Sequence, residues 1–324
     1  MGDSHLLGEG THGCVFTPPL HCRKSRKNKS RKVGKLIDKE HAEIELNVAT
    51  LVKGIVGWQR YFIVQEEDDC DVANFKKIRE ESNKNCKIMR KTYNRNLTQL
   101  LSPYGGSTLH NLGITNSFDY MGSFKHMLEG IARLEKQGIC HYDIKNNNIV
   151  VDSKGTLRLI DFGSAFVGNE VTTKNIWRHQ YNFMPDYPPQ PPELSLQNGI
   201  EDNIERDVAI KEIIDKKTVF KSLEHILGIP VERAEGEMRK FCIEEGMKKG
   251  DWVSFFHKYW NVWDSWAIGI IYLRILEKSL LLPKFVQEVW PVHGPIIKQL
   301  LKGLLRVDPR ERLTGIEAAR LLEF

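Results

Sequence analysis

The chain has 324 residues, of which 41% are hydrophobic and 27% are charged. This composition excludes an intrinsically disordered protein, and the length allows one large domain or two modest ones. No stretch approaches the ~20 apolar residues of a transmembrane helix, and the N-terminus has no signal-peptide character. The sequence therefore predicts neither a membrane span nor secretion.

Cysteine spacing bears on the redox compartment. No two of the six cysteines form a C-x-x-C pair, which argues against a zinc site and against a disulfide framework. We therefore expect reduced cysteines in an intracellular, cytoplasmic protein, because disulfides are rare in that compartment. The six are Cys14, Cys22, Cys70, Cys86, Cys140 and Cys242.

Positive charge is concentrated near the N-terminus. The net charge is +5, and eight basic residues lie between Arg23 and Lys35. Such a segment could contact nucleic acid or an acidic protein, or it could be a solvated loop between two strands. The loop is favoured, since no aromatic side chains are interleaved for stacking on bases. No pattern indicates an oligomeric state.

The first predicted element is a strand, a glycine turn and a second strand over residues 6–16. Its three glycines lack a Cβ, which lets the backbone approach phosphate groups closely. A dinucleotide-binding fingerprint would need a helix directly after the glycines, whereas here β-prone residues and two prolines follow. The pattern therefore favours a strand–loop–strand phosphate cradle. Its candidate nucleotide-binding residues are Gly8, Glu9, Gly10, Thr11, Gly13 and Val15.

A lysine on the next strand can hold nucleotide phosphates if a helix carboxylate fixes it in place. Lys35 lies in an apolar context over residues 33–37, and a helix is predicted over 39–53. Glu45 is the preferred partner of Lys35, because the residues around it give the helix an apolar face. Glu43 is one register away and remains an alternative.

Strands and a loop are predicted to follow this helix. Residues 61–64 are apolar and β-prone, and they are predicted to form a fourth strand. The segment 68–95 is polar and charged without clean periodicity, so we predict an inserted loop there. A further strand is predicted over 97–102.

This last strand leads into residues 103–107, a segment that contains proline and glycine. We interpret it as a hinge, which divides the chain into an N-terminal lobe (1–102) and a C-terminal lobe (108–324). Adenine in such a hinge is met by backbone groups alone. Pro103 offers its C=O and Gly105 offers its N–H, so the missing N–H of the proline removes nothing that the ligand needs.

The densest motif follows a predicted amphipathic helix. It reads His-Tyr-Asp-Ile-Lys-Asn-Asn-Asn from position 141, and Asp-Phe-Gly follows from position 161. A phosphotransfer site needs a base for the attacking hydroxyl, which Asp143 supplies, and a cation for the developing charge, which Lys145 supplies. Asn148 and Asp161 supply the hard oxygen ligands that Mg²⁺ prefers.

Three further motifs follow in order. A Pro-Pro-Glu segment ends at Glu193, Asp264 opens a predicted central helix, and Arg312 ends a D-P-x-x-R pattern. Together with the earlier motifs, they make the chain resemble the eukaryotic-type serine/threonine protein kinase family over most of its length. The resemblance implies an α+β, bilobal protein-kinase-like fold, with a small antiparallel β lobe that holds one helix and a larger, mainly helical lobe.

The resemblance also implies an activity and its residues. We expect a single kinase domain over residues 1–324, with ATP and Mg²⁺ as cofactors and with serine or threonine hydroxyls of proteins as acceptors. Glu193 would pair with Arg312, and Asp264 would bond the backbone of the catalytic loop. The implied catalytic residues are Asp143, Lys145, Lys35 and Glu45, and the implied metal ligands are Asn148 and Asp161.

Two features depart from the family pattern. Tyr142 stands where the family has an arginine that anchors an activation-loop phosphate, and tyrosine cannot pair with a phosphate by charge. We therefore expect activity without activation-loop phosphorylation. A helical insertion is also predicted at about 195–260, where it would affect substrate or partner choice. These features resemble protein kinases of large DNA viruses, which would place the chain in a host-cell cytoplasm or a virion.

Two alternative functions share this fold. A binding or scaffolding pseudokinase usually lacks the lysine, the base or the metal-binding acid, and all three are present here. A small-molecule phosphotransferase of kinase-like fold typically lacks a lysine two residues after the base and the Pro-Pro-Glu segment, which are also present. An active protein kinase is therefore the preferred interpretation.

Overall fold

The chain folds into a sheet-containing N-terminal part and a mainly helical C-terminal part. The N-terminal part is an antiparallel sheet with one helix, as the sequence predicts, so the α+β fold is confirmed. The computed structural model describes residues 4–10, 13–22, 32–66, 69–70, 72, 86, 88 and 96–322.

The sheet has five strands within the described residues, in the order β1-β2-β3-β5-β4. Alternate residues of β3 face opposite sides: Leu36 packs in a cluster with Cys14, whereas Ile37 packs with Leu100. Lys35 directly precedes Leu36 and pairs with Leu100 of β5. The strands are β1 His5–Glu9, β2 Gly13–Thr17, β3 Lys32–Asp38, β4 Asp69–Cys70 and β5 Leu97–Pro103.

Helix α1, Lys39–Lys53, packs against this sheet. Asp38 caps its first turn by accepting a hydrogen bond from the His41 N–H at 3.0 Å, and Gly54 follows its last turn. The predicted and observed bounds agree. One acid stands on the buried face, which consists of Ala42, Glu45, Val48, Ala49 and Val52.

The prediction of a fourth strand over 61–64 is wrong, because this segment bonds to the C-terminal part of the chain instead of extending the sheet. Phe62 is buried and forms a single parallel bridge with Leu159 of the C-terminal part. The Ile63 N–H donates to the Leu159 carbonyl, and the Leu159 N–H donates to the Tyr61 carbonyl, both at 2.9 Å. The short strand β4 pairs with β5 in its place.

Several predictions fall on residues outside the described ranges. They include most of the predicted loop at 68–95, Thr11, and the basic segment from Arg23 to Arg31. Of the basic residues that are described, Lys32 pairs with Glu66 at 2.6 Å. Contact of this segment with nucleic acid or an acidic partner therefore remains a prediction.

Helices build most of the C-terminal part. Within the described ranges, no helix combines the length and the apolar character needed to cross a bilayer. The helices are α2 Tyr120–Lys136, α3 Pro192–Glu201, α4 Arg206–Lys216, α5 Val219–Leu227, α6 Val231–Glu245, α7 Trp252–Tyr259, α8 Trp263–Ser279, α9 Trp290–Leu304 and α10 Gly315–Arg320.

Short strands hold the loops that carry the motifs. β8 and β9 form the predicted hairpin, and its turn contains Gly155 with a φ of 82°, a conformation that favours glycine. The motif loop at 141–148 begins directly after β7 and ends at β8, so both of its ends are anchored. These strands are β6 Ser107–Thr108, β7 Ile139–Cys140, β8 Ile149–Val151, β9 Leu157–Leu159 and β10 Phe166–Val167.

All four cysteines of the N-terminal part are paired, so the expectation of reduced cysteines is wrong. Cys14 bonds to Cys86, and Cys22 bonds to Cys70. Local spacing gave no signal because the partners lie 72 and 48 positions apart in the sequence. The two cysteines of the C-terminal part are free and buried. The predicted cytoplasmic location therefore loses the support that was drawn from the cysteines.

Reduction of these disulfides is expected to destabilise the N-terminal part. Each crosslink constrains the unfolded chain, and such a bond typically contributes about 2–4 kcal/mol. Thiol labelling of the denatured, unreduced protein should find only Cys140 and Cys242, and a reductant should lower the midpoint of urea unfolding. The Cys242→Ala variant is the control, because it should respond to the reductant like the wild type. Labelling of all cysteines without reductant, or an unchanged midpoint, would contradict this prediction.

Candidate active site

A cleft of about 1100 Å³ lies between the sheet and the helical part. Residues predicted from separate motifs line this cleft, so the fold brings together side chains that are distant in sequence. The predicted site residues among its lining are Gly8, Glu9, Gly10, Gly13, Val15, Lys35, Pro103, Gly105, Asp143, Lys145, Asn148 and Asp161.

Lys35 lies between two carboxylates. Its Nζ contacts Glu45 Oε1 and donates to Asp161 Oδ1 at 2.7 Å. Glu45 is buried and is thus the partner of Lys35, whereas the alternative, Glu43, is exposed. Burial opposes the charged form of the lysine, but the two carboxylates outweigh it and raise the pKa of Lys35 above its ordinary value. Lys35 is therefore a cation throughout the neutral pH range.

Asp161 keeps its negative charge beside Lys35. Burial favours the protonated acid, yet the charge and the hydrogen bond of Lys35 outweigh this effect and lower the pKa of Asp161 to about 2. Its backbone φ of 64° is a left-handed conformation that is uncommon outside glycine. Such a conformation persists where neighbouring structure fixes it, here β9 on one side and Lys35 on the other.

Gln65 contributes to the site without any sequence signal. It is buried, and its Nε2 donates to Glu45 Oε2 at 2.7 Å, so the two oxygens of Glu45 contact different side chains. The amide oxygen of Gln65 has no hydrogen-bond partner among the described residues. A single glutamine after an apolar segment has no distinctive spacing, which is why only the structure reveals it.

The glycines of the first loop have different roles. A Cβ at Gly13 would lie 2.5 Å from the Leu36 carbonyl, so close packing against β3 requires glycine there. A Cβ at Gly8 would meet no described atom within 4 Å, which leaves backbone open toward the cleft. The Gly10 N–H donates to the Gly13 carbonyl at 2.8 Å.

Glycine is also required where the chain passes between the two parts. A Cβ at Gly105 would lie 2.3 Å from Ile63 Cδ1, and Gly106 adopts a φ of 111°. Pro103 is the last residue of β5 and lines the cleft together with Gly105. Their contact with adenine remains a prediction.

Asp143 accepts hydrogen bonds from three side chains. Lys145 Nζ donates to its two oxygens at 3.0 and 2.8 Å, and Asn148 Nδ2 donates to Oδ2 at 2.9 Å. The phenol of Tyr187 donates to Oδ1 at 2.9 Å, from a segment 44 positions further along the chain. The structure thus groups the predicted motif residues around one carboxylate and adds an unpredicted tyrosine.

Buried polar contacts hold the backbone of this loop. Asp264, on α8, accepts hydrogen bonds from the N–H groups of His141 at 2.7 Å and Tyr142 at 3.0 Å. His141 Nε2 lies 3.1 Å from the Ile160 carbonyl, which ties the loop to the residue before Asp161. The contact expected for Asp264 is therefore present.

Tyr142 belongs to an aromatic cluster that joins the catalytic loop to the following segment. Its hydroxyl donates to the His179 carbonyl at 2.9 Å. Burial, with a smaller effect of Arg178, lowers the pKa of His179 to about 4, so this histidine is neutral. The segment around His179 is thus held against Tyr142 by ring packing and by a hydrogen bond between uncharged groups. The rings that contact Tyr142 are Phe166, His179, Tyr181, Phe256 and Trp263.

Comparison with protein families decides the family of this chain. The protein kinase domain matches residues 2–194, which is more than half of the chain. The chain belongs to the protein kinase family. The family implies the use of ATP. The kinase match ends directly after Glu193, so the helices from α4 to α7 lie beyond it.

Relatives of this kinase are serine/threonine kinases. Over 42 residues it is 57% identical to serine/threonine-protein kinase PSK1 of Saccharomyces cerevisiae, a stretch that covers 13% of this chain and 3% of that protein. Over 159 residues it is 27% identical to probable serine/threonine-protein kinase ndrC of Dictyostelium discoideum, covering 41% of this chain and 12% of that protein. The chain therefore spans only a small part of the length of these relatives. Both come from cellular organisms and do not support the resemblance to viral kinases.

A buried ion pair links the end of the matched region of the kinase to its C-terminal segment. Arg312 donates to the two oxygens of Glu193 at 2.7 and 2.8 Å, and neither side chain is more than 1% exposed. Arg312 also donates to the carbonyls of Arg306 and Val307. The predicted pair is thus present as a bidentate contact, the geometry that makes arginine–carboxylate pairs strong.

Two residues near Asp143 were not predicted. The first is Tyr187, which donates to Asp143. The second is Lys217, a buried lysine that donates to the Tyr187 carbonyl at 2.5 Å. Neither has a spacing signal, because a lysine at the end of an amphipathic helix is ordinarily solvated.

Proposed function

We propose that this kinase transfers the γ-phosphate of ATP to serine and threonine hydroxyls of proteins in a Mg²⁺-dependent reaction. The observation that carries the proposal is the meeting of Lys35, Asp161 and Asp143 in one cleft. The serine/threonine kinase relatives support the class of acceptor. The position of Lys145, two residues after the base, supports it as well.

The base and its lysine would act on the acceptor side. Asp143 would orient the attacking hydroxyl and accept its proton, a role that needs a carboxylate within hydrogen-bond reach of that hydroxyl. Lys145 already contacts both oxygens of Asp143, so its ammonium lies where it could stabilise charge on the transferred phosphoryl group.

Lys35 would act on the nucleotide side. Its permanent charge suits the α- and β-phosphates, and Glu45 would keep the ammonium in position, with Gln65 fixing the second oxygen of Glu45. The backbone at Gly8, Gly10 and Gly13 would cover the phosphates, with Val15 against the adenine. Pro103 and Gly105 would bond the adenine edge.

Asn148 and Asp161 fit a magnesium ion. Asp161 is ionised, and Asn148 uses its Nδ2 on Asp143, which leaves its amide oxygen for a metal. Mg²⁺ usually takes one or two protein carboxylates and completes its coordination with phosphates and water, and one carboxylate with one amide oxygen suits that pattern. When bound there, Mg²⁺ would neutralise and align the phosphates.

The kinase would be active without a phosphate on its activation segment, the residues between Asp161 and Glu193. Tyr142 stands in sequence where the family has the phosphate-anchoring arginine, and its hydroxyl bonds the His179 backbone within an aromatic cluster. Phe256 of α7 joins the cluster, so residues beyond the family match help to hold this segment.

Phosphorylation of a peptide array tests the proposal. Phosphatase-treated wild-type protein with Mg²⁺ and ATP is expected to label serine and threonine peptides, and the Asp143→Ala variant should be slower by about 100-fold or more. Labelling confined to tyrosine peptides would overturn the acceptor class. Nucleotide binding, detected as a rise in Tm, without phosphate transfer would favour a binding pseudokinase instead. A requirement for prior phosphorylation would overturn the role given to Tyr142.

A further inference from the structure

Lys217 is a charged group that the proposed reaction does not use. It follows α4, beyond the residues that the family matches, and only 1% of its surface is exposed. The charged groups that face it are Glu193 and Asp186, and Glu193 is already paired with Arg312. A buried ammonium without a dedicated carboxylate is costly, so its presence calls for a reason.

The energetics of Lys217 favour a functional reason over a structural one. Burial lowers the pKa of Lys217 to about 7, against the opposing charges of Glu193 and Asp186. The unfolded chain holds this proton more strongly than the folded one, so the lysine reduces stability near neutral pH. Residues that reduce stability and lie close to a reaction centre are often retained for activity.

Tyr187 connects Lys217 to the base. The Tyr187 carbonyl accepts the hydrogen bond from Lys217, and its phenol donates to Asp143 Oδ1. Burial, together with the charge of Asp143, raises the pKa of the phenol, so it keeps its proton and acts as the donor. Trp266 Nε1 donates to the next carbonyl, that of Pro188, at 3.3 Å, so two successive peptide groups are anchored.

The phenol differs from the other donors to Asp143. Lys145 is the proposed phosphate ligand, so its contact with Asp143 competes with the nucleotide, whereas Asn148 can bond Asp143 through Nδ2 and offer its amide oxygen to the metal. Tyr187 has no nucleotide role in the proposed reaction. Its hydrogen bond can therefore keep Asp143 Oδ1 oriented when Lys145 moves to the nucleotide.

We propose that Lys217 is a positioning residue of the active site, which fixes the backbone of Tyr187 so that its phenol holds Asp143. This inference rests on the proposed kinase function and deepens it. It gives the helical segment beyond the family match a part in positioning Asp143, through one hydrogen bond to the Tyr187 backbone.

A double-mutant cycle with Lys217→Met and Tyr187→Phe tests the inference. Each single change is expected to lower kcat by about tenfold while the KM for ATP stays within about twofold. The double variant should be no more than about twofold slower than the slower single variant, because the two residues act as one unit. The matched control is Lys216→Met, since Lys216 is exposed, pairs with Glu212 and should leave kcat unchanged.

Folding of the Lys217→Met variant is checked by urea unfolding between pH 7 and 9.5. Stability of the wild type should rise with pH in this range, since the folded-state pKa of Lys217 lies below the unfolded one, and the variant should lack this increment. Identical pH dependence in both proteins would contradict the buried state of Lys217.

Three kinetic outcomes overturn the inference. They are an unchanged kcat in Lys217→Met, a raised kcat in Tyr187→Phe, and a double variant about 100-fold slower than wild type, as independent effects would give. If Lys217 had only a structural role, Lys217→Met would lower kcat by the same factor in the wild type and in the Tyr187→Phe variant. Absence of transfer in the wild-type protein would instead overturn the proposed function on which this inference depends.

Discussion

Replacing Asp161 with asparagine is expected to abolish Mg²⁺-dependent phosphate transfer, with a loss of about 10³-fold or more in kcat. Metal-centred charge stabilisation is worth several kcal/mol, and each ~1.4 kcal/mol is a factor of ten in rate. Asparagine keeps the shape of the side chain but removes its charge. With a pKa of about 2, Asp161 carries that charge over the whole working pH range, so the loss should not be recovered at high pH.

The measurement is single-turnover transfer at saturating ATP over a range of Mg²⁺ concentrations. Asp152→Asn is the matched control, because Asp152 lies in the β8–β9 turn, pairs with Arg158 and takes no part in the proposed reaction. Transfer by Asp161→Asn within about tenfold of the wild type would contradict the metal-binding role.

The free energy of unfolding should also depend on pH through Asp161. The stabilisation by ionised Asp161 is present above its unfolded pKa and is lost as the pH falls toward about 2.

Replacing Arg312 with methionine is expected to lower the free energy of unfolding by about 3–5 kcal/mol. The change leaves Glu193 buried without its partner, and an uncompensated buried charge is strongly destabilising. It also removes the hydrogen bonds to the Arg306 and Val307 carbonyls. Urea unfolding at pH 7 measures the loss.

A second variant separates the charge effect from the packing effect. The Glu193→Leu and Arg312→Met double variant should recover much of the lost stability, because an apolar pair of similar size leaves no unpaired charge. Arg306→Met is the control: Arg306 is partly exposed and lies 3.6 Å from Glu237, so its loss should cost no more than about 1 kcal/mol. Equal losses in Arg306→Met and Arg312→Met would contradict the importance of the buried pair.

The parts of the site that sequence predicts are those in which chemistry requires certain residue types at certain spacings. Lys35 and Glu45 were predicted because a β-strand lysine needs a carboxylate on the apolar face of the next helix, and the structure brings the two together. Asp143, Lys145 and Asn148 lie in one short loop, so their proximity follows from the chain itself. The bounds of α1 follow from the cap at Asp38 and the glycine after its last turn.

The remaining features depend on contacts between segments that local patterns do not encode. Tyr187 and Lys217 meet only because α4 packs beside the activation segment, so neither residue has a local signal. Cys14 and Cys86 are distant in sequence, and their pairing follows from the fold of the N-terminal part. The apolar segment at 61–64 has the composition of a strand, but burial of Phe62 against the C-terminal part outweighs that propensity.

The backbone bridge between Phe62 and Leu159 also constrains any rotation of the sheet against the C-terminal part. Just after this bridge, the Glu66 N–H donates to the Leu101 carbonyl at 2.7 Å, so the bridge attaches to the β5 side of the sheet. β1 and β2 are at the opposite edge. A rotation of the sheet that keeps these bonds intact therefore pivots near β5 and moves the glycine loop through the longest arc. Nucleotide would enter and leave under the β1–β2 edge, and Lys35, two strands closer to the pivot than β1, would move less relative to Asp161.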